Sequence, residues 1–196
     1  MQMKSAKVRN FAIIMTASIA VSLSPLATAQ GSKAQATPAD TATTRWLEAM
    51  SPKLSISMPE PKVRMEFLKV VFDESRRAGV DSQLVLALID KASQFRKYAV
   101  AVSGSRGYMQ VHPSILAEIG QPSHNLFSTR TNIRYGCVLL RKMLDEHKGD
   151  RGRALTAYEQ QIAGLFDAPA TKPRKFARDV MILMRERWGY SAPTQQ

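Results

Sequence analysis

Histidines, a serine in a glycine-rich loop and scattered carboxylates are the side chains of this sequence that could do chemistry. The three histidines, His112, His124 and His147, have no ligand-like spacing and no partner cysteines, so they do not predict a metal site. Gly104-Ser105-Arg106-Gly107 is not a nucleophile-elbow pattern, and no neighbouring motif supplies a histidine base. We therefore expect no metal ion and no cofactor, and a loop role for Ser105.

A set of short motifs in one region of the chain is more specific. Several occur in a fixed order, which is far less probable by chance than any one of them alone. They are Ala92-Ser93-Gln94-Phe95, Tyr98-Ala99-Val100, Gly104-Ser105-Arg106-Gly107-Tyr108-Met109-Gln110-Val111 with Pro113, Asn132-Ile133-Arg134-Tyr135-Gly136, and Ala157-Tyr158.

These motifs resemble the soluble-lytic-transglycosylase domain, which typically reads Glu-Ser-x-Phe, Ala-Val-Ser, Gly-Ala-Arg-Gly-Leu/Tyr-Met-Gln-Val-Met-Pro, Asn-Ile-x-x-Gly and Ala-Tyr-Asn-x-Gly. The resemblance covers roughly residues 64 to 160. It implies a lysozyme-like helical fold with a cleft for cell-wall glycan, and substrate contacts from Met109, Gln110 and Tyr158. Composition alone instead favours core positions for Tyr108 and Met109, so both interpretations stay open.

The resemblance also implies a reaction that uses one glutamic acid, first as acid and then as base, without a second carboxylate. Ala92 occupies the position of that acid, and Ala101 that of the serine expected to hydrogen-bond it. Further departures are His112 for methionine, and Glu159 and Gln161 for the asparagine and glycine after Ala-Tyr. Alanine has no proton to give, so the cleft is expected to bind glycan without cutting it.

Another carboxylate could take over the role of the missing acid. Asp90 is a poor candidate, because two residues along a helix rotate it by about 200° from Ala92. Glu159 is a better one, because the resemblance places its segment beside the cleft, where apolar surroundings could raise its pKa. The alternative hypothesis is therefore an active enzyme that works through Glu159. The simpler interpretation is that Glu159 is a solvated residue near a helix end.

Apolar periodicity predicts an all-α protein with at most a small irregular β element. Helices are expected from Pro61 to Gly79, from Asp81 through Phe95, from Pro113 to Gly120, from about Ile133 to Gly149, after Asp150, and from Phe176 to Trp188. Three prolines interrupt the segment between Trp46 and Pro61, so a short helix and a loop are expected there. Cys137 lies on an apolar stripe with Ile133, Leu140 and Leu144, which favours a buried residue, although an intermolecular bridge stays possible.

The N-terminus has the pattern of a secretory signal peptide. Residues 1–29 carry three basic residues, an apolar run and Ala27-Thr28-Ala29. We expect cleavage before Gln30, a periplasmic or extracellular location and no stable membrane insertion. A small, polar segment is expected to be a flexible linker over residues 30–44, followed by the folded domain over 45–190 and a flexible tail over 191–196.

The chain is basic, with a formal net charge of +12 that falls to +9 without the three cations of the signal peptide. Such a protein is attracted to anionic polymers. Export favours cell-wall and envelope anions over nucleic acid, which is not expected as a partner. Charge alone does not choose among these anions. The resemblance implies peptidoglycan glycan strands as the partner, together with a second envelope protein that this chain would place or regulate.

Overall fold

Helices form nearly all the regular structure. The computed structural model describes residues 38–166 and 174–189. Those ranges contain seven helices: α1 (Pro38–Leu54), α2 (Pro61–Ala78), α3 (Ser82–Ser93), α4 (Ser114–Ile119), α5 (Thr129–Glu146), α6 (Arg151–Ile162) and α7 (Lys175–Glu186). The β structure described consists of two isolated bridges, which join Arg106 to Val100 and to Val111. The predicted all-α class with a small irregular β element is confirmed.

Local capping explains where several helices begin and end. Oδ1 of Asp81 accepts hydrogen bonds from the backbone N–H groups of Gln83 and Leu84 at the start of α3. Asp150 caps α6 in the same way, through the N–H of Arg153. Gly79 ends α2 in the left-handed conformation, with φ of 67°. These three residues are among those that the sequence marks as helix boundaries.

The first helix differs from the expectation. Residues 38–44, which the sequence places in a flexible linker, belong to α1, and this helix continues through Pro52 to Leu54. Trp46, Met50 and Leu54 recur every fourth position and are all buried. Their burial stabilises a helix whose sequence is otherwise unfavourable, and Pro52 is tolerated because it removes only one hydrogen bond in the last turn. Residues 30–37 lie outside the described part.

Helix α3 lies in the core and is held at its C-terminal end by residues that follow α7. Every residue from Leu84 to Asp90 is buried, and α3 packs against both α2 and α7. Oδ2 of Asp90 accepts hydrogen bonds from the guanidinium of Arg187 at 2.8 Å and from the fully buried indole of Trp188 at 3.1 Å. Asp90 is therefore a structural anchor that joins α3 to the residues after α7.

Two further expectations concern the core and the ends of the chain. Cys137 is buried in α5, as predicted. No helix within residues 38–166 and 174–189 has the length and hydropathy that a membrane span requires. The predicted signal peptide, residues 1–29, and the predicted tail, residues 191–196, lie outside the described residues.

Candidate functional site

The end of α3 carries Ala92, half-buried, in the last turn of the helix. Gln94 and Phe95 follow with positive φ values of 52° and 59°, an uncommon conformation for residues other than glycine. The ring of Phe95 packs against those of Phe67 and Trp188, which keeps this turn in place. Residue 92 is therefore held in a defined position. The methyl group of Ala92 offers no proton and no hydrogen bond.

Residues 98–113, which follow this turn in the sequence, lie in the loop between α3 and α4. This segment folds back on itself. Arg106 exchanges backbone hydrogen bonds with Val111 at 3.0 Å in both directions. The N–H of Ala101 donates to the carbonyl of Ser105, and that of Gly107 to the carbonyl of Ala99, both at 2.9 Å. Ala101 is half-buried, and like Ala92 it has no side-chain atom that could hydrogen-bond a neighbouring acid.

The structure brings together the three residues for which substrate contacts are expected, Met109, Gln110 and Tyr158. Tyr158 and Met109 are fully buried, and the Tyr158 hydroxyl donates to the carbonyl of Met109 at 2.9 Å. Gln110 is 4% exposed, and its Nε2 donates to the carbonyls of Gly107 and Ala99 at 2.8 and 3.1 Å. All three side chains lie in the interior and stabilise the loop from within.

Asn132 is a further positioning residue, and the sequence marks it only as the first residue of the motif Asn132-Ile133-Arg134-Tyr135-Gly136. Its Oδ1 accepts from the N–H of Met109 at 2.8 Å, and its Nδ2 donates to the carbonyls of Arg106 and Leu126 at 2.8 and 2.9 Å. The side chain is 1% exposed. The sequence signal that could have identified Asn132 was an asparagine at the start of a helix motif separate from the loop. Its burial explains why the side chain needs hydrogen-bond partners.

Two glycines allow the loop to approach α5 this closely. A Cβ atom at Gly136 would lie 2.4 Å from Sδ of Met109, and one at Gly107 would lie 2.4 Å from Nδ2 of Asn132. Both distances are far below ordinary contact, so larger residues would push the loop away from the helix. The loop is further attached to the end of α6, where the hydroxyl of Ser105 donates to the carbonyl of Ile162 at 2.9 Å.

Glu159 lies on α6 and is half-buried. Its Oε2 is buried and has no hydrogen-bond partner among the described residues. Burial raises the pKa of its carboxyl above the ordinary value, although the positive charges of Arg174 and Lys91 act in the opposite direction. Lys91 is itself hydrogen-bonded to Asp179 at 2.7 Å. Glu159 is thus a carboxyl next to the motif residue Tyr158 in the sequence. Its burial favours the protonated form.

Histidines and other potential metal ligands do not converge in the part of the chain that the structure describes. There, no group of three or more His, Cys, Asp or Glu side chains could hold a metal ion. His112 bonds Ser103 and Ser114, and His124 bonds the hydroxyl of Tyr135 at 2.6 Å. Each of these two rings has a structural partner.

Comparison with known proteins gives a family and two curated relatives. The family model described as "Transglycosylase SLT domain" matches residues 69–171. A protein named membrane-bound lytic murein transglycosylase C from Mannheimia succiniciproducens is 32% identical over 91 residues, covering 42% of this chain and 26% of the relative. Its namesake from Glaesserella parasuis is 33% identical over 90 residues, covering 41% and 25%. The chain thus matches about a quarter of the length of these relatives.

Among solved structures, an inactive mutant of the lytic transglycosylase Slt from Pseudomonas aeruginosa is similar to this chain. The alignment has a TM-score of 0.47 and 20% sequence identity, and it covers 70% of this chain and 26% of that one.

Proposed function

Because the chain belongs to the transglycosylase SLT domain family, we propose that it is an exported protein that binds the glycan strands of peptidoglycan and cleaves them weakly or not at all. The family match includes both Ala92 and the loop that follows it. The proposal combines a retained binding loop with a missing acid.

The observation that carries the proposal is the side chain at residue 92. The turn around it is well defined, because Ser93 is buried with its hydroxyl bonded to the carbonyl of Ile89, and Phe95 is anchored between two aromatic rings. General acid catalysis requires a proton donor within hydrogen-bond reach of the scissile oxygen. Ala92 and Ala101 together remove the donor and the hydrogen bond expected to orient it.

Retention of the loop supports the binding half of the proposal. Met109, Gln110 and Tyr158 contribute to glycan binding by fixing the backbone of residues 104–111, since their own side chains face the interior. Tyr98 is 70% exposed and lies against the ring of Phe127 at 5.7 Å. An exposed aromatic ring held in this way offers an apolar face to a sugar ring.

A second candidate function, cleavage through Glu159, is favoured by one specific observation. Burial raises the pKa of the carboxyl, and one of its oxygens has no hydrogen-bond partner among the described residues, two features that suit a general acid. Against it, Arg174 and Lys91 favour the ionised form. A displacement of about 1 Å from the productive geometry also costs roughly 100-fold in rate. Binding without cleavage is therefore the preferred function.

Incubation with purified peptidoglycan sacculi separates the two candidates. We expect protein lacking residues 1–29 to pellet with the sacculi and to release no anhydro-muropeptides. Clear product release would contradict the preferred function. If a Glu159→Gln variant then lost that release while still pelleting with sacculi, the second candidate would take its place.

Salt dependence distinguishes specific glycan binding from attraction by net charge. Screening should weaken the interaction of a protein whose formal charge is +9 without residues 1–29, while contacts made by the loop should persist at high salt. We expect Gln110→Ala, which removes two hydrogen bonds inside the loop, to reduce the salt-resistant fraction. An unchanged fraction in this variant would leave charge as the explanation for binding.

Location and protein partners belong to the same proposal. The basic, apolar and small-residue pattern of residues 1–29 supports export to the periplasm or beyond. A glycan-binding protein without strong cleavage would serve to place or regulate another envelope protein on the cell wall.

A further inference from the structure

A buried carboxylate with three arginines around it lies between α2 and α5. The side chain of Glu74 has no exposed area. Its Oε1 accepts from Arg130 at 2.6 Å, and Arg134 approaches both carboxylate oxygens at 3.1 and 3.3 Å. Arg77 adds a third cation, with its Nε 3.7 Å from Oε2. These three residues, Arg77, Arg130 and Arg134, are called the arginine cluster below.

One buried carboxylate does not require three arginines. The two bonds from Arg134 already form the forked pair that matches a carboxylate, and they leave its Nη1 unused by Glu74. The side chains of Arg77, Arg130 and Arg134 are 64%, 46% and 44% exposed. Glu74 therefore accepts hydrogen bonds from Arg130 and Arg134 and pairs with Arg77, while a large part of each arginine side chain stays exposed to solvent.

The cluster carries an excess of positive charge. Asp73 and Lys69 complete the ion-pair network, through contacts of 3.8 Å between Asp73 and Arg130 and 3.5 Å between Lys69 and Asp73. Four cations thus face two carboxylates, which leaves two positive charges uncompensated within the network. The first turn of α5, which contains Arg130, has no acidic residue to offset them.

We propose that the arginine cluster is a binding site for a phosphate group, separate from the loop that follows Ala92. A phosphomonoester carries about −1.5 to −2 charges at pH 7 and three acceptor oxygens, which match the excess charge and several outward N–H groups. A carboxylate would neutralise only half of the excess. Because Glu74 fixes the guanidinium groups, less side-chain entropy is lost when the phosphate binds.

The residues of this site are independent of the proposed glycan function. The loop is held by Asn132, Gln110 and Tyr158, none of which contacts the arginine cluster through a hydrogen bond in the described structure. Loss of phosphate binding would leave the glycan proposal intact, and the reverse also holds.

Titration of the full chain with inorganic phosphate, followed by NMR of the arginine Nε–Hε groups, tests the site. We expect saturable shifts of Arg130 and Arg134 with phosphate, and weaker shifts with acetate at equal ionic strength. Arg77→Gln should weaken phosphate binding about tenfold, the value of one charge-assisted hydrogen bond. It should not unfold the protein, because Arg77 is largely exposed.

Arg153→Gln is the matched control for Arg77→Gln. Arg153 is 56% exposed and pairs with Asp150 at the same three-residue spacing on a helix, but belongs to α6. We expect phosphate affinity to be unchanged in this variant. Equal losses in both variants, or equal binding of acetate and phosphate, would overturn the proposal, because either result is what net charge alone produces.

Vesicles identify the source of the phosphate group. Retention on phosphatidylcholine vesicles containing phosphatidic acid, with loss in Arg77→Gln, indicates a lipid headgroup. Binding of inorganic phosphate without vesicle retention indicates a phosphate on a soluble molecule or polymer. Retention that is identical in Arg77→Gln and Arg153→Gln would contradict a role for the cluster.

Discussion

At the scale of single residues, Ala92 and Asn132 have opposite effects on the site. Ala92 places a methyl group without a proton donor at a position whose surroundings are well ordered. Asn132 makes three hydrogen bonds, two of which hold the neighbouring loop on α5. In the proposed function, Ala92 would limit the chemistry and Asn132 would maintain the shape in which glycan binds.

Restoring an acid at residue 92 directly tests whether the missing side chain prevents cleavage. We expect Ala92→Glu with Ala101→Ser to produce measurable anhydro-muropeptide release, because a general acid contributes about 100- to 10,000-fold. Ala92→Glu alone should give little or no product. It should also lower the melting temperature more than the double change, since a half-buried carboxyl without its hydrogen-bond partner costs about 1–3 kcal/mol.

A folded double variant that binds sacculi but releases nothing would contradict the interpretation that Ala92 and Ala101 alone account for the lack of cleavage. The departures at His112, Glu159 and Gln161 would then have altered the cleft as well.

Asn132→Asp is expected to destabilise the protein by about 2–4 kcal/mol at neutral pH. The new carboxylate would point an acceptor at the carbonyls of Arg106 and Leu126, which now accept from Nδ2. Chemical denaturation would measure the change. Asn125→Asp is the matched control, because the exposed Asn125 only accepts a bond, from the N–H of Phe127; a comparable loss there would contradict the role given to Asn132.

At the scale of helices and loops, the helix boundaries with local chemical signals were predictable. Asp81, Gly79 and Asp150 act through their own side chain or backbone, so the sequence identifies them. Helix α1 was not predictable, because it depends on burial of Trp46, Met50 and Leu54 against other helices.

The packing of the site was less predictable than its motifs. The sequence brought Met109, Gln110 and Tyr158 into one group by resemblance. Their buried orientation depends on the approach of α5 and α6, which no local spacing encodes. For the same reason the pairing of Glu74 on α2 with arginines of α5 could not be predicted.

The contact between α2 and α5 predicts how stability changes with pH. Burial alone raises the pKa of Glu74, but hydrogen bonds from Arg134 and Arg130 and the charges of Arg134 and Arg77 outweigh it, so the pKa lies below the ordinary value of 4.5. A lowered pKa in the folded state stabilises the protein above the ordinary value, and that contribution is lost as the pH falls through the lowered one.

We expect Glu74→Gln to reduce the free energy of unfolding at pH 7 by about 1–3 kcal/mol and to flatten its decline below pH 4.5. Urea denaturation at several pH values would measure both effects. The matched control is Glu66→Gln, an exposed change on the same helix. An acid decline as steep in Glu74→Gln as in the unchanged protein would exclude Glu74 as its main source.

At the scale of the whole molecule, the core is continuous and closes around α3, with residues after α7 completing it. Burial raises the pKa of the Cys137 thiol well above its ordinary value, so little thiolate exists at neutral pH. We expect the folded protein to react very slowly with a thiol reagent such as DTNB, and to react fully once unfolded. It should also migrate as a monomer on a non-reducing gel, whereas a reducible dimer would show that the core opens.

The indole of Trp188 provides an intrinsic fluorescence signal from the region of the site. The chain has two tryptophans, and Trp188 is joined through Asp90 to the helix that ends beside Ala92, with the guanidinium of Arg187 4.9 Å from its ring centroid. Fluorescence from such a ring should be blue-shifted by burial and sensitive to small movements of the nearby charges. In a Trp46→Phe variant, a change in this emission on addition of soluble glycan fragments would report binding at the end of α3 without any attached dye.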